Sequence, residues 1–241
     1  TVPALLILRN SRTEIMICFF YILVSAAFLI FGHIKNDNFN SLESVKNSYK
    51  IKAISSNISL DRFYSKQDEL KIINELIELS APTKIEPTIF VWPEGIIPDS
   101  YLRDMSGYKN LFLNNFGEDD LIIMGLNSKE TKNDKNLFYN SMAIFNNKLD
   151  LIAKYNKVNL VPFGEFTPLE SILSLIGLKT ITNSYQSFSS GKTRIPLNVK
   201  NSKIDLIFLP LICYEIIYSG KLSKDNSFDY IINISEDGWF G

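Results

Sequence analysis

Histidine is almost missing from this chain: its 241 residues include one, His33. That scarcity excludes most histidine-based metal sites and any Ser–His or Cys–His catalytic arrangement. Cysteine is nearly as scarce. The two residues stand in different settings, Cys18 inside an apolar run and Cys213 beside a carboxylate, so no disulfide framework is expected. Cys18 reads as filler facing lipid or another helix, and Cys213 as a free thiol. Net charge is small as well, −1 at neutral pH, and creates no global field that would draw nucleic acid. Neither a metal nor a cofactor is expected, and there is no internal repeat or low-complexity tract. A cysteine nucleophile in such a chain needs a carboxylate or an amine as its base.

Against these absences stands an abundance of apolar residues, 46% of the chain, enough for a sizeable core. Ile15 to Phe31 (IMICFFYILVSAAFLIF) runs seventeen residues without a charge, at the lower limit for a helix that spans a bilayer. A signal peptide would end in a small-x-small cleavage site, which is lacking, and a buried soluble helix fits poorly with apolarity on every side. Arg9 and Arg12 precede the run, while Lys35 and Asp37 follow it. The positive-inside rule then places residues near 10 in the cytoplasm and those after 36 outside. Residues 1–36 are read as a membrane segment, with Val2 to Leu8 the tail of an earlier span. With Thr1 at one end and Trp239-Phe240-Gly241 at the other, the sequence is expected to be part of a longer protein.

Asn36 to Ser48 reads as a polar linker, and the domain over 45–241 alternates strand with helix, the pattern of an α/β fold. Strands are predicted at Tyr49–Ser55, Thr88–Trp92, Asp120–Leu126, Ile204–Ile212 and Asp229–Ile234. Leu70, Ile73, Leu76, Ile77 and Leu79 give Lys66–Ser80 a near-helical apolar spacing that Pro82 ends. Tyr101–Phe116 reads as a helix with exposed aromatic residues, and Ser128–Asn136 as a charged loop. Phe138–Phe145 and Leu149–Tyr155 flank Asn146-Asn147-Lys148 as a hairpin. Ser171–Leu178 is a short apolar segment and Ser184–Lys192 a serine-rich loop.

Three polar groups fall at or beyond the ends of predicted strands. Glu94 follows Phe90-Val-Trp-Pro. Lys157 lies in Lys154-Tyr-Asn-Lys-Val-Asn-Leu-Val-Pro-Phe-Gly-Glu-Phe166. Cys213 ends the apolar run of Phe208-Leu-Pro-Leu-Ile-Cys-Tyr-Glu-Ile-Ile-Tyr218. Singly each has a plain explanation: a turn cap, a solvated lysine, a packed thiol. Together they supply a base, a cation and a nucleophile, the parts of a covalent acyl-transfer site without histidine.

Trp92-Pro-Glu94, Lys157 ahead of Leu160-Val-Pro-Phe-Gly-Glu165, Pro210-Leu-Ile-Cys-Tyr-Glu215 and the closing Asn233-Ile-Ser-Glu-Asp-Gly-Trp-Phe-Gly241 resemble the signature blocks of the nitrilase superfamily of carbon–nitrogen hydrolases. The phrase LVPFGEF, together with PLICYE and a preceding apolar helix, resembles the apolipoprotein N-acyltransferase branch. The resemblance implies an αββα sandwich preceded by a transmembrane helix, with a Glu94–Lys157–Cys213 triad facing the periplasm from the bacterial inner membrane. It implies that Cys213 takes an acyl chain from a phospholipid as a thioester and passes it to the α-amine of the diacylglyceryl-cysteine of an apolipoprotein. Glu94 would accept the thiol proton. Lys157 would lower the thiol pKa and stabilise the oxyanion with the backbone N–H of Tyr214. Glu165 matches a second glutamate near the triad, and Glu215 one that shapes the site. Lys154 competes with Lys157, at a spacing that fits less well.

Phe163 and Trp239 are candidates for lining the pocket. Ile96-Ile97-Pro98, Tyr101, Leu102, Leu111-Phe112-Leu113, Phe116, Ile172, Leu173, Leu175 and Ile176 form either an apolar rim for acyl chains or ordinary core. The sequence departs from the family pattern at Glu236, where an asparagine is usual, and at Ser219, where a proline is common. The resemblance implies further strands of the sandwich beyond Gly241, so the domain is expected to be C-terminally incomplete. Two further readings stay open: an amidase or nitrilase that uses the same triad with water as acceptor, and an inactive truncated remnant.

Overall fold

The computed structural model describes residues 12–40, 49–56, 58, 68–98, 101–132, 134–166, 187–218 and 227–236. The chain divides into two compact units, Thr1–Asn47 and Ser48–Gly241. Among the described residues the first unit is one helix, α1 (Arg12–Asn40). Its stretch Arg12–Asn38 is long and apolar enough to cross a membrane, its most apolar eighteen residues having a mean hydropathy of 2.6. At the helical rise those residues reach about 40 Å, against a hydrocarbon core of about 30 Å. Phe19, Phe28 and Leu29 stand exposed on it, and Cys18 is a buried free thiol. His33 lies on this helix beside Asp37, 3.6 Å away. The polar residues from Asn36 to Asn40, expected as linker, continue the helix. They contain no proline, and extending an existing helix requires fixing only one residue per added bond.

The second unit is built on two sheets. The first has five strands in the order β1 (Lys50–Ala53), β2 (Thr88–Val91), β3 (Leu121–Lys132), β4 (Lys135–Asn146) and β5 (Leu151–Asn156). β1, β2 and β3 run parallel; β4 and β5 add antiparallel. The second has three, β6 (Leu197–Lys200), β7 (Asp205–Ile212) and β8 (Tyr230–Ile234), with β7 in the middle, antiparallel to β6 and parallel to β8.

Period-two alternation assigns each strand residue to a layer. Phe90, Ile122, Met124, Leu126, Ala143 and Phe145 point to one side, where they pack with Ile72, Ile73, Leu76 and Ile77 of α2 (Glu69–Ser80) and Phe112 of α3 (Lys109–Asn115). Ile89, Leu121, Ile123, Met142 and Ile144 point to the other, against Leu206, Phe208, Ile212, Ile232 and Ile234 of the second sheet. Helices, sheet and sheet thus form three layers of the expected sandwich; Ser171–Leu178, Ile172 to Ile176 included, lies outside the described residues. The α2 helix is fixed at both ends. The Asp68 side chain accepts from Leu70 N and Lys71 N, and Ala81 takes a left-handed turn before Pro82.

Three expectations change. The charged stretch from Ser128 to Asn136 is not a loop but the outer half of the β3–β4 hairpin, paired through to Lys132↔Lys135. Cross-strand partners decide a strand more than composition does: Thr131 Oγ1 donates to Asn136, and Lys129 sits 5.5 Å from the Phe138 ring. The segment Tyr101–Phe116 begins as a 3₁₀ turn (Leu102–Tyr108) and turns its aromatics inward, with Phe112 and Phe116 buried against Trp92. Ile96, Ile97, Phe112 and Phe116 are therefore core rather than rim. Each side chain of this kind contributes about 1.5–3 kcal/mol by leaving water. Strand β6 is an addition. At four residues, with Val199 as its one buried side chain, it gives almost no periodic signal.

Candidate active site

The chain turns out of β2 at Trp92-Pro93-Glu94. Trp92 anchors the turn, its N–H donating to Ile123 O at 2.8 Å and its indole N–H to Ser80 Oγ at 2.9 Å. Gly125 of β3 makes room for it. A Cβ at that position would lie 2.5 Å from Glu94 Cα, while its N–H donates to Pro93 O at 3.2 Å. Glu94 is thereby pressed inward and almost fully buried.

Lys157 follows β5 and has essentially no exposure. Its Nζ lies 3.4 Å from Glu94 Oε1 and 3.0 Å from Glu165 Oε1. Asn140 of β4 spans the same two carboxylates, its Nδ2 donating to Glu94 Oε1 at 2.7 Å and to Glu165 Oε1 at 2.8 Å. The other oxygen of Glu165 accepts from Val161 N at 2.9 Å. Two anions thus share one ammonium and one amide. Gly191 secures the lysine from behind: its N–H donates to Lys157 O at 2.8 Å, and a Cβ there would fall 2.1 Å from Asn156 O. Lys154, the competitor, points away and pairs with Glu130 at 2.8 Å.

Burial pushes the Glu94 carboxyl above the ordinary carboxylate range, and Lys157 and Asn140 offset this only in part. For Lys157 burial favours the neutral amine, but Glu94 and Glu165 outweigh it and hold the ammonium above the usual lysine value. The cluster is a lysine held cationic by its partners beside a carboxyl group whose proton affinity burial raises.

Cys213 follows β7 directly and opens a 3₁₀ turn (Cys213–Ile217). Its φ is +54°, a left-handed conformation that a side-chain-bearing residue adopts at a cost of about 1–3 kcal/mol unless its surroundings enforce it. The enforcing group is Glu215, fully buried, whose Oε2 accepts from Ile212 N at 3.0 Å. The half-buried thiol feels both the Glu94 and Lys157 charges, and Ser235 and the Tyr214 N–H hydrogen-bond it. Burial and Glu94 raise its pKa; Lys157 and the two hydrogen bonds oppose them without prevailing. Lys157 acts in the expected direction, yet desolvation wins, so the resting sulfur is a neutral thiol.

Cys213 lies in the wall of a cavity of about 760 Å³, shared with Ile54, Ile58, Trp92, Tyr214, Ile217, Ile234 and Glu236. Phe163 does not line it. That side chain stands exposed in the turn before Glu165, at φ +64°. Trp239 lies outside the described residues. Asn140 and Arg194, which pairs with Glu215 at 2.7 Å, were not singled out from the sequence. Asn140-Ser141 does carry a signal, a polar pair interrupting the apolar alternation of β4; Arg194 carries none. Among the described residues no group of metal-ligating side chains converges.

Two packed sheets under a helix layer, with lysine, carboxylates and a cysteine at or just beyond strand ends, give an α/β sandwich that holds the side chains a covalent acyl-transfer site would need. The carbon-nitrogen hydrolase family model matches residues 116–241, just over half of the sequence. The chain belongs to that family. It is 29% identical over 199 residues to the apolipoprotein N-acyltransferase of Caulobacter vibrioides, covering 79% of this chain and 37% of that protein. To the apolipoprotein N-acyltransferase of Brucella suis it is 31% identical over 175 residues, covering 71% and 32%. The chain therefore spans about a third of the length of the curated relatives it matches. Among solved structures, a carbon-nitrogen hydrolase from Helicobacter pylori aligns at 15% identity with a TM-score of 0.47, covering 77% of this chain and 59% of that one. An amidase from Nesterenkonia aligns at 12% identity with a TM-score of 0.46, covering 77% and 64%.

Proposed function

We propose that this chain carries the catalytic machinery of an apolipoprotein N-acyltransferase, with Cys213 as acyl carrier, Glu94 as proton acceptor and Lys157 as oxyanion partner. One observation carries the reading: a buried lysine held between two carboxylates, beside a cysteine in a left-handed turn at a strand end. As Sγ attacks the ester carbonyl of a phospholipid, the thiol proton passes to Glu94. Lys157 and the Tyr214 N–H receive the oxyanion. Collapse breaks the ester C–O bond, and the lysophospholipid oxygen leaves with the proton from Glu94. The α-amine of a diacylglyceryl-cysteine then attacks the thioester and gives its proton to Glu94. The C–S bond breaks and the sulfur recovers that proton. A thioester suits the second step because it retains reactivity towards amines.

The apolar side chains around the nucleophile support a lipid donor. Ile216, Ile217 and Tyr218 stand exposed directly after it, Ile217 at 61%. In this reading α1 anchors the chain in the bacterial inner membrane, residues near 10 are cytoplasmic, and the catalytic unit faces the periplasm.

Incubation with phospholipid in detergent is expected to give a one-to-one acyl adduct by intact mass, absent in Cys213→Ala and discharged by a lipopeptide amine. Release of ammonia from small amides without transfer to the lipopeptide would instead make the chain an amidase, and failure to form any adduct would make it an inactive remnant.

A further inference from the structure

Glu215 is the most heavily hydrogen-bonded side chain of the described residues, and its two oxygens hold different segments. Oε1 accepts from Val158 N and Asn159 N, each at 2.9 Å, the backbone immediately after Lys157. Oε2 accepts from Ile212 N at 3.0 Å, the residue before Cys213. One carboxylate thus fixes the spacing between the segment after β5 that carries the ammonium and the turn that carries the thiol. Its charge is met by Arg194, whose Nη2 donates to Oε1 at 2.7 Å and to Asn159 Oδ1 at 2.5 Å, and whose Nε reaches Tyr155 Oη at 3.2 Å. The Tyr155 hydroxyl donates in turn to Glu215, 2.8 and 2.9 Å from its two oxygens. The Arg194 side chain is 7% exposed and that of Glu215 0%. A pair this deep persists only where geometry and hydrogen bonding meet its desolvation cost.

We infer that Arg194 is a positioning residue: by holding the Glu215 side chain in place, it sets the distance between Cys213 and Lys157. Arg194 touches neither, so its effect reaches the chemistry only through the Glu215 carboxylate. The inference builds on the proposed roles of Cys213 and Lys157 but does not need the lipid substrate.

The test uses the full chain in detergent and a small activated ester, p-nitrophenyl butyrate, whose reaction with Cys213 is read as the p-nitrophenol burst. A misplacement of about an ångström between reacting groups costs on the order of 100-fold in rate. Arg194→Met is therefore expected to slow the burst about 100-fold, and Arg194→Lys, which keeps a charge but not the fork, to restore part of it. The double variant Arg194→Met with Glu215→Gln removes both buried charges and is expected to recover part of the unfolding midpoint lost in Arg194→Met while the burst stays slow. A glutamine amide offers one acceptor oxygen, so it can hold the lysine segment or the cysteine turn, not both. Recovery of stability and burst together in the double variant would reduce Arg194 to a structural role and overturn the inference. So would an Arg194→Met burst within a few-fold of the parent, measured where the variant is folded. Slow variant bursts combined with no acyl adduct from phospholipid in the parent would leave this inference standing and sink the lipid reading instead.

Discussion

Lys157 carries one positive charge between two carboxylates, and the arithmetic of that trio governs the site. With Glu94 and Glu165 both ionised the cluster is net negative, and burial already pushes Glu94 upward despite the ammonium 3.4 Å away. Lys157→Met would leave the two carboxylates facing each other with Asn140 as their shared donor. Breaking a buried ion pair from one side costs about 3–5 kcal/mol at neutral pH. The sign with pH follows. A carboxyl whose folded pKa exceeds its unfolded value binds its proton more tightly when folded, so its protonation favours the native state. The variant's deficit is expected to be largest at pH 8 and to shrink towards pH 5 as one carboxyl protonates. Urea unfolding of parent and variant at both pH values measures it, and a deficit that does not change with pH would mean the two carboxylates do not confront each other.

At the scale of elements, the site depends on how closely β2, β3 and the turn beyond them approach. Gly125 is the point of contact, where any Cβ would meet the backbone of Glu94 at 2.5 Å. Backbone cannot move aside as a flexible side chain does, so Gly125→Ala must displace Glu94. Overpacking of this kind costs about 1–3 kcal/mol of stability, whereas losing the alignment of Glu94, the proposed proton acceptor, is expected to cost on the order of 100-fold in acyl-adduct formation. Rates from intact mass, set beside a denaturation curve, separate the two. A variant destabilised but as active as the parent would show that Glu94 need not sit where it does.

At the scale of the molecule, the proposal requires chemistry next to a bilayer. α1 offers an uncharged apolar run over Ile15–Phe31, within the stretch Arg12–Asn38 that is long enough to cross a membrane. A charge at the centre of such a helix costs about 2.5–3.5 kcal/mol of insertion. Leu23→Arg is expected to make the chain extractable from phospholipid vesicles by alkaline carbonate, while the unaltered chain stays with the lipid pellet. Equal extraction of both would remove α1 as an anchor.

The amino-acid sequence by itself determined what depends on local pattern. Seven strands of the sandwich followed from runs of β-branched and apolar residues, the long helix from its lack of charge, and α2 from spacing closed by Pro82. Glu94, Lys157, Glu165 and Cys213 were legible because each sits in a distinctive block of residues. Tertiary structure alone decided the rest. Asn140 and Arg194 are ordinary polar residues until folding brings them to carboxylates 46 and 21 positions away. The Ser128–Asn136 stretch is strand because a partner strand lies beside it. The thiol is neutral because burial outweighs the nearby ammonium, a balance set by how much water the packed sheets exclude and not by the order of residues along the chain.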